Sequence, residues 1–284
     1  MSETMNNVAN TVTFHDGRSA PRLGFGTWQV DPQVAAGVVE TALQTGYRSI
    51  DTAAIYGNEK EVGQGLRQSG VAREDIFVAT KLWNDRHGHD TAREAFNESL
   101  EKLGLDYVDL YLIHWPVPKD DRYVEAWETL IQLRDEGRAK SIGVCNFNVN
   151  HLQRLLDETG VLPVVNQIEL HPRFQQVELR EFHSEHDIVT EAWSPLGRGR
   201  LWDEPTLVKI AGKHGRSVAQ VLLRWHLQLD NMVIPKTITP SRMLENLNCF
   251  DFSLSEEDMA AIAALDTPDG RDGPDPELFR TMKK

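Results

Sequence analysis

A chain of 284 residues, 40% hydrophobic and 26% charged, can bury a large core, which excludes a disordered or fibrous class. Its 43 acidic residues outnumber 30 basic ones for a formal charge of −13, so nucleic acid and anionic membranes are poor partners. Two cysteines, Cys145 and Cys249, exclude a disulfide framework or a cysteine-based zinc site, and no apolar run nears the ~20 residues that cross a bilayer.

The opening stretch MSETMNNVANT is polar, with neither a basic start nor an apolar signal core, so the expected location is the cytoplasm. Residues 11–26, TVTFHDGRSAPRLGFG, alternate, turn at Asp16-Gly17 and resume, which predicts a β-hairpin leading into a first internal strand. Strand-like runs then recur at 22–27, 47–51, 75–81, 107–114, 140–146, 163–168, 187–193 and 232–236. Helical periodicity fills the gaps. In TAREAFNESLEKLG, Phe96, Leu100 and Leu103 share a face, Thr91 and Glu94 have capping-box spacing, and Gly104 is a natural stop. DRYVEAWETLIQLRDEG stacks Tyr123, Trp127, Leu130 and Ile131 and ends at Gly137, and SVAQVLLRWHLQ opens on the capping pair Ser217 and Gln220.

No linker or composition shift divides the chain, so residues 1–284 are expected to form one domain. Eight strand–helix alternations predict an α/β fold, a closed (β/α)₈ TIM barrel, with the irregular tail DTPDGRDGPDPELFRTMKK over its mouth. The alternative, an open doubly wound sheet, wants a Gly-rich fingerprint after its first strand. GFGTWQ lacks the third glycine, and GQGLRQSG (63–70) has its last one two positions late, in a helical stretch.

The active site of such a barrel forms where its strands end. Polar or aromatic groups close the runs: Asp51, Lys81, His114, Asn146, Gln167, Trp193 and Lys236. Each alone is more often a turn former, a solvated charge or a core histidine. Together, Asp51, Tyr56, Lys81 and His114 suit one reaction. A phenol of ordinary pKa near 10 is a poor acid at neutral pH, and a nearby ammonium lowers that value. A carboxylate would anchor the ammonium, and a histidine could donate to the same substrate oxygen. That is protonation of an oxygen gaining negative charge, as in carbonyl reduction, and the hydride must come from a nicotinamide cofactor.

GYRSIDTAAIYGNE, TKLWN, LDYVDLYLIHWP, SIGVCNF, NQIELHP, WSPLGRG and IPKTITPSRMLENL, from about Thr11 to about Leu265, resemble the aldo-keto reductases in order and spacing. IDTAAIYGNE, TKLWNDRH, VNQIELHP and VLLRWHLQ resemble in particular the bacterial 2,5-diketo-D-gluconic acid reductases. The resemblance implies a barrel that binds NADPH extended, without a Rossmann domain. It implies Tyr56 as general acid, Lys81 and Asp51 tuning it, and His114 orienting the carbonyl. Asn146 and Gln167 would hold the nicotinamide carboxamide, Trp193 would stack on the ring, and Ser194, Leu196 and Arg198 would meet the pyrophosphate. Lys236, Thr237 and Arg242 would bind the 2′-phosphate, with Glu245 and Asn246 near the adenine. A dianionic phosphate needs multidentate positive donors, and two cations at a helix start supply them on an otherwise acidic chain.

Two positions depart from the family pattern. Cys145 stands where a serine is usual, and a thiol is a weak donor. Thr239 stands where some relatives are basic, which softens the expected preference for NADPH over NADH. Trp28, Trp83 and Trp115, each beside a strand end, are expected to wall the substrate pocket with His114. The carbonyl would be an aldehyde or ketone: a small carbonyl, an α-dicarbonyl or a keto-sugar such as 2,5-diketo-D-gluconate. HGH (87–89) and HSEH (183–186) lack a third ligand and read as solvated faces, and ELH (169–171) as loop structure, so no metal is expected. Rival functions are a Schiff-base aldolase acting through Lys81 and a non-catalytic NADPH-binding regulator. No strongly apolar exposed helix stands out, so a monomer is expected.

Overall fold

Hydrogen bonds tie the segment before the first barrel strand to the last strand, and so decide between the two architectures. Gly24 N donates to Val233 O at 2.8 Å, Val233 N to Arg22 O at 2.8 Å, and Leu23 bridges Val233 in parallel. The sheet is a closed ring rather than an open doubly wound one. The computed structural model describes residues 10–280; most of the polar opening stretch and the last four residues lie outside the described residues.

The hairpin β1 (Thr11–Thr13) and β2 (Ser19–Pro21) comes first, paired antiparallel. The barrel then alternates through β3 (Phe25–Gly26), α1 (Pro32–Thr45), β4 (Ser49–Asp51), α2 (Glu59–Gln68), β5 (Phe77–Leu82) and α3 (His89–Leu103). It continues through β6 (Val108–Ile113), α4 (Tyr123–Asp135), β7 (Ala139–Cys145), α5 (Val149–Thr159), β8 (Val165–Glu169) and α6 (Val177–Glu185). The last turns are β9 (Val189–Trp193), α7 (Pro205–His214), α8 (Val218–Gln228), β10 (Met232–Val233), α9 (Pro240–Leu247) and α10 (Glu256–Ala263). Strands β3 to β10 lie side by side in chain order, and every adjacent pair is parallel.

Strand alternation separates two cores. Ile50, Val78, Tyr111, Ile113, Ile142 and Val144 face outward and join the helices in the large cluster. Ala79, Leu110, Leu112, Cys145, Val165 and Met232 face inward, and Phe14 of the hairpin joins this second cluster, closing the barrel floor. Continuing up the inner face, apolar residues give way to Asp51, Lys81, Gln167 and Glu191, all buried. The barrel is thus apolar at its floor and polar towards its mouth.

The helices follow local signals, with one correction. The Ser217–Gln220 capping box forms, and Gly104 ends α3 in the left-handed region at φ 67°. The Thr91–Glu94 box does not form: α3 starts three residues earlier, at His89 behind the cap Gly88. Thr91 instead accepts from Gly88 N at 3.1 Å, and Glu94 pairs with Arg86. In α4, Tyr123, Trp127 and Leu130 are buried, while Ile131 only borders the core. Helices α2 and α3 touch at Gly63, where an added Cβ would lie 2.1 Å from Leu103 O.

After α10 the tail runs across the mouth, as expected. Backbone N–H groups of Asp272 and Gly273 donate to Glu169 at 2.6 and 2.8 Å, and Phe279 packs 4.4 Å from Trp115 between ring centroids.

Candidate active site

The four residues singled out for proton transfer meet at one point of the barrel mouth. Asp51 ends β4 and Lys81 lies near the end of β5, its neighbour, with both side chains pointing inward. Lys81 Nζ donates to Asp51 Oδ1 at 2.5 Å and to Thr52 O at 2.8 Å. Tyr56 closes a short 3₁₀ turn, Ala54–Tyr56, that Gly57 terminates at φ 71°. The turn brings the phenol ring back so that Lys81 Nζ is 5.3 Å from its centroid. His114, just past β6, lies edge-on to Tyr56 at 5.8 Å and to Trp83 at 5.1 Å.

Burial rules the electrostatics. It opposes the charge on Lys81, but the Asp51 carboxylate and its hydrogen bond outweigh it and raise the ammonium pKa. Burial likewise holds the Tyr56 phenol well above its ordinary value, and the Lys81 charge offsets this only in part. The expectation that the ammonium would make Tyr56 more acidic than a free phenol is therefore not met in the resting site. Desolvation of the phenolate is the larger effect. Burial, aided by the Lys81 charge, keeps His114 neutral, and its Nδ1 has no hydrogen-bond partner among the described residues. A neutral phenol and a neutral imidazole backed by a buried cation can both donate to an oxygen that gains negative charge.

Around this centre lie the remaining strand ends. Asn146, held at φ 62°, donates from Nδ2 to His114 O at 2.9 Å and accepts from Trp193 Nε1 at 2.8 Å. Gln167 Nε2 reaches Asp51 Oδ2 at 3.0 Å and Glu191 Oε2 at 2.7 Å. Cys145 is buried, and desolvation keeps its thiol protonated. Past β9 the backbone turns at Ser194, φ 52°, and His226 approaches Pro195 O at 3.3 Å. Leu196 is half-buried against the core, and the exposed Arg198 leans on Trp28 at 5.2 Å and on Trp193 at 5.8 Å.

Lys236, in the loop before α9, and Arg242, in the first turn of that helix, are exposed and without an ion-pair partner among the described residues. Thr237 Oγ1 accepts from Thr239 N, closing the turn before that helix. Glu245 is half-buried. Asn246 is buried against Tyr47 rather than presented to solvent, because α9 packs that face on the barrel wall.

Of the three proposed pocket tryptophans, Trp83 and Trp115 come together through Phe279, at 6.4 and 4.4 Å. Trp28 stands apart beside Arg198, exposed. The discounted histidines need correcting. His87 and His183 are buried rather than solvated; His183 is held by Asn166 and Thr190 at 2.9 Å each. Glu169, His171 and Asp272 lie close enough to ligate an ion, but both Glu169 oxygens already accept backbone N–H groups of the tail.

Two residues of the mouth escaped the sequence reading. Glu191 has a visible signal, an acid two residues before Trp193 on one face of an otherwise buried strand. Phe279 has none, since nothing in an irregular tail says where it crosses the barrel.

The chain matches the Aldo/keto reductase family over residues 22–267. It is 52% identical over 268 residues to an aldo-keto reductase of Mycolicibacterium smegmatis, covering 94% of this chain and 97% of that protein. It is 51% identical over 270 residues to methylglyoxal reductase DkgA of Escherichia coli (strain K12), with 94% and 97% covered. Among solved structures, a Gox0644 mutant in complex with NADPH aligns with a TM-score of 0.92 at 50% identity, over 95% of this chain and 98% of that one.

Proposed function

The chain belongs to the aldo/keto reductase family, and from that premise we propose that it reduces small α-dicarbonyls and related aldehydes or ketones with NADPH. Tyr56 is the general acid. The observation that carries this reading is the meeting of Tyr56, His114 and the buried Lys81–Asp51 pair beneath aromatic walls.

The donor set fits the cofactor. Asn146 keeps one amide proton free and Gln167 keeps its oxygen free among the described residues, a donor and an acceptor for a carboxamide. Lys236 and Arg242 stand unpaired for the 2′-phosphate, with Thr237 beside them. Trp193 offers a ring face; Ser194, Leu196 and Arg198 form the loop for the pyrophosphate, and Glu245 borders the adenine, whereas Asn246, turned in against Tyr47, supports α9 from behind. NADPH, when bound, supplies hydride to the carbonyl carbon.

The chain's own residues manage the oxygen. His114, neutral, donates a hydrogen bond that orients it, and Tyr56 hands over its phenolic proton as charge builds there. Lys81 carries a fixed positive charge that steadies the phenolate left behind, and Asp51 and Thr52 O keep that charge in place. Trp83, Trp115 and Phe279 give the pocket apolar walls, which favours small neutral carbonyls over charged sugar acids. The methylglyoxal reductase relative supports the same substrate class. The aldolase reading loses ground, because a lysine held charged by a buried carboxylate is a poor nucleophile.

The test is NADPH oxidation with methylglyoxal and a panel of aldehydes and keto-sugars. Wild type turns over the dicarbonyl, and Tyr56→Phe loses about 10²–10⁴-fold in kcat with NADPH affinity kept. Undiminished turnover by Tyr56→Phe would sink the assignment of the acid. A wild type that oxidises no NADPH with any carbonyl would sink the function.

A further inference from the structure

A buried carboxylate that carbonyl reduction does not call for sits across the barrel from its centre, three strands round from Asp51. Glu191 lies on the inner face of β9, in register with Gln167 of β8 and Met232 of β10. Its Oε2 is 2.7 Å from Gln167 Nε2, and the same nitrogen is 3.0 Å from Asp51 Oδ2. Two acids thus flank one amide nitrogen. A carboxylate can only accept, so the end of the amide between them must be its N–H end. Both amide protons are then committed inside the barrel. The amide oxygen points away from the acids and takes no hydrogen bond from the described residues.

The neighbouring Asn146 is fixed in the complementary sense. Its oxygen accepts from Trp193 Nε1 and one of its amide protons goes to His114 O, which leaves one proton to donate. Beside it Cys145 offers only a weak thiol donor, so recognition of a carboxamide falls on Asn146 and Gln167. With Asp51 alone, only one proton of the Gln167 amide would be held, and the amide plane could swing about that single hydrogen bond and carry its oxygen out of line with the mouth.

We propose that Glu191 is a positioning residue for the nicotinamide: by holding the second amide proton of Gln167, it presents the Gln167 oxygen to the carboxamide NH₂ of the cofactor. The inference rests on the reading that the chain binds NADPH. Its consequence is selectivity for a primary carboxamide, through a residue that touches neither cofactor nor substrate.

The experiment compares NADP⁺ with its 3-acetylpyridine analogue, in which a methyl group replaces the carboxamide NH₂. Binding of each is titrated by quenching of tryptophan fluorescence, with circular dichroism to check folding. Wild type prefers NADP⁺ by about tenfold, since the analogue leaves the Gln167 oxygen unpaired. Glu191→Leu narrows the preference to about twofold or less, because the amide is no longer held at both protons. Glu191→Gln keeps it, its own amide oxygen accepting in place of the carboxylate. If Glu191→Leu does not fold, Glu191→Ala is read in its place against the same expectation. A full preference in the Leu or Ala variant overturns the proposal, as does a Gln variant that loses as much as they do. A wild type that binds both dinucleotides alike also overturns it, whereas a wild type that binds neither overturns the cofactor reading itself.

Discussion

Lys81 and Asp51 form an ion pair that almost no solvent reaches, Nζ to Oδ1 at 2.5 Å with side-chain exposures of 0% and 3%. A buried pair is costly to break from one side, because the partner left behind keeps an uncompensated charge. Lys81→Met should therefore destabilise the fold by about 3–5 kcal/mol in urea unfolding. The double variant Lys81→Met/Asp51→Asn should recover much of that loss while leaving reduction abolished. A double variant no more stable than the single one would show that the lysine acts through packing rather than charge.

Glu191 makes stability depend on pH in a definite direction. Burial, then the Asp51 charge, push its carboxyl up to about 7, only partly offset by the Gln167 hydrogen bond. A carboxyl raised above its unfolded value of about 4.3 contributes fully below that pH and loses its contribution as pH rises through the folded value. Between pH 5 and 7, wild type should lose stability relative to Glu191→Gln with a slope approaching ~1.4 kcal/mol per pH unit. Thermal melts of the two proteins across this range measure it. Parallel curves would mean that Glu191 ionises normally in the fold.

The exposed cations Lys236, before α9, and Arg242, within it, offer a test that leaves the centre untouched. Lys236→Met and Arg242→Met should each weaken NADPH binding about 10–100-fold, the worth of a charge-assisted hydrogen bond. NADH binding should be unchanged, because NADH has no 2′-phosphate. The wild-type ratio of NADPH to NADH affinity also reports what Thr239, at the cap of α9, costs in selectivity. Equal losses for both dinucleotides would place the two side chains away from the 2′-phosphate.

The strand ends were legible in the sequence because each strand is a short run buried on both faces and each end a change of chemistry. Asp51, Lys81 and His114 stand where apolar runs stop, so the (β/α)₈ reading brought them together before any coordinate did. The start of α3 was less legible. Thr91 and Glu94 satisfy the spacing of a capping box, yet Gly88 caps the helix and the threonine hydroxyl turns back to it. Local spacing cannot see that choice. The sign of the Tyr56 shift was also hidden, since it depends on how completely its surroundings exclude water and not on which residues are near. Phe279 belongs to the same class, placed by clamps between segments distant in the chain.

Gly63 is a site where one methyl group should matter. A Cβ there would lie 2.1 Å from the Leu103 carbonyl oxygen, at the end of α3, and backbone on both sides leaves no flexible atom to move. Gly63→Ala gains a little helix propensity in α2, under about 1 kcal/mol. The overlap costs more, about 1–3 kcal/mol or above, so the net effect is destabilising. A lower unfolding midpoint in urea with normal NADPH affinity is the expected result. An unchanged midpoint would mean that α2 and α3 can slide apart freely.

Phe279 should set the size of carbonyl that enters. Its ring lies 4.4 Å from Trp115 and 6.4 Å from Trp83, and Trp83 in turn abuts His114 at 5.1 Å. The tail that carries it is pinned by Glu169, and by Arg200, which pairs with Asp272. Truncation to alanine removes one wall without disturbing the Lys81–Asp51 pair below. Small dicarbonyls then lose contact and bulky aromatic aldehydes gain room, so the ratio of their kcat/KM values should shift about tenfold towards the bulky substrate. The change should fall on KM, because Tyr56 and His114 keep their places and the proton transfer they serve is unaltered. A shift confined to kcat would instead place Phe279 in the support of the acid rather than in the pocket wall.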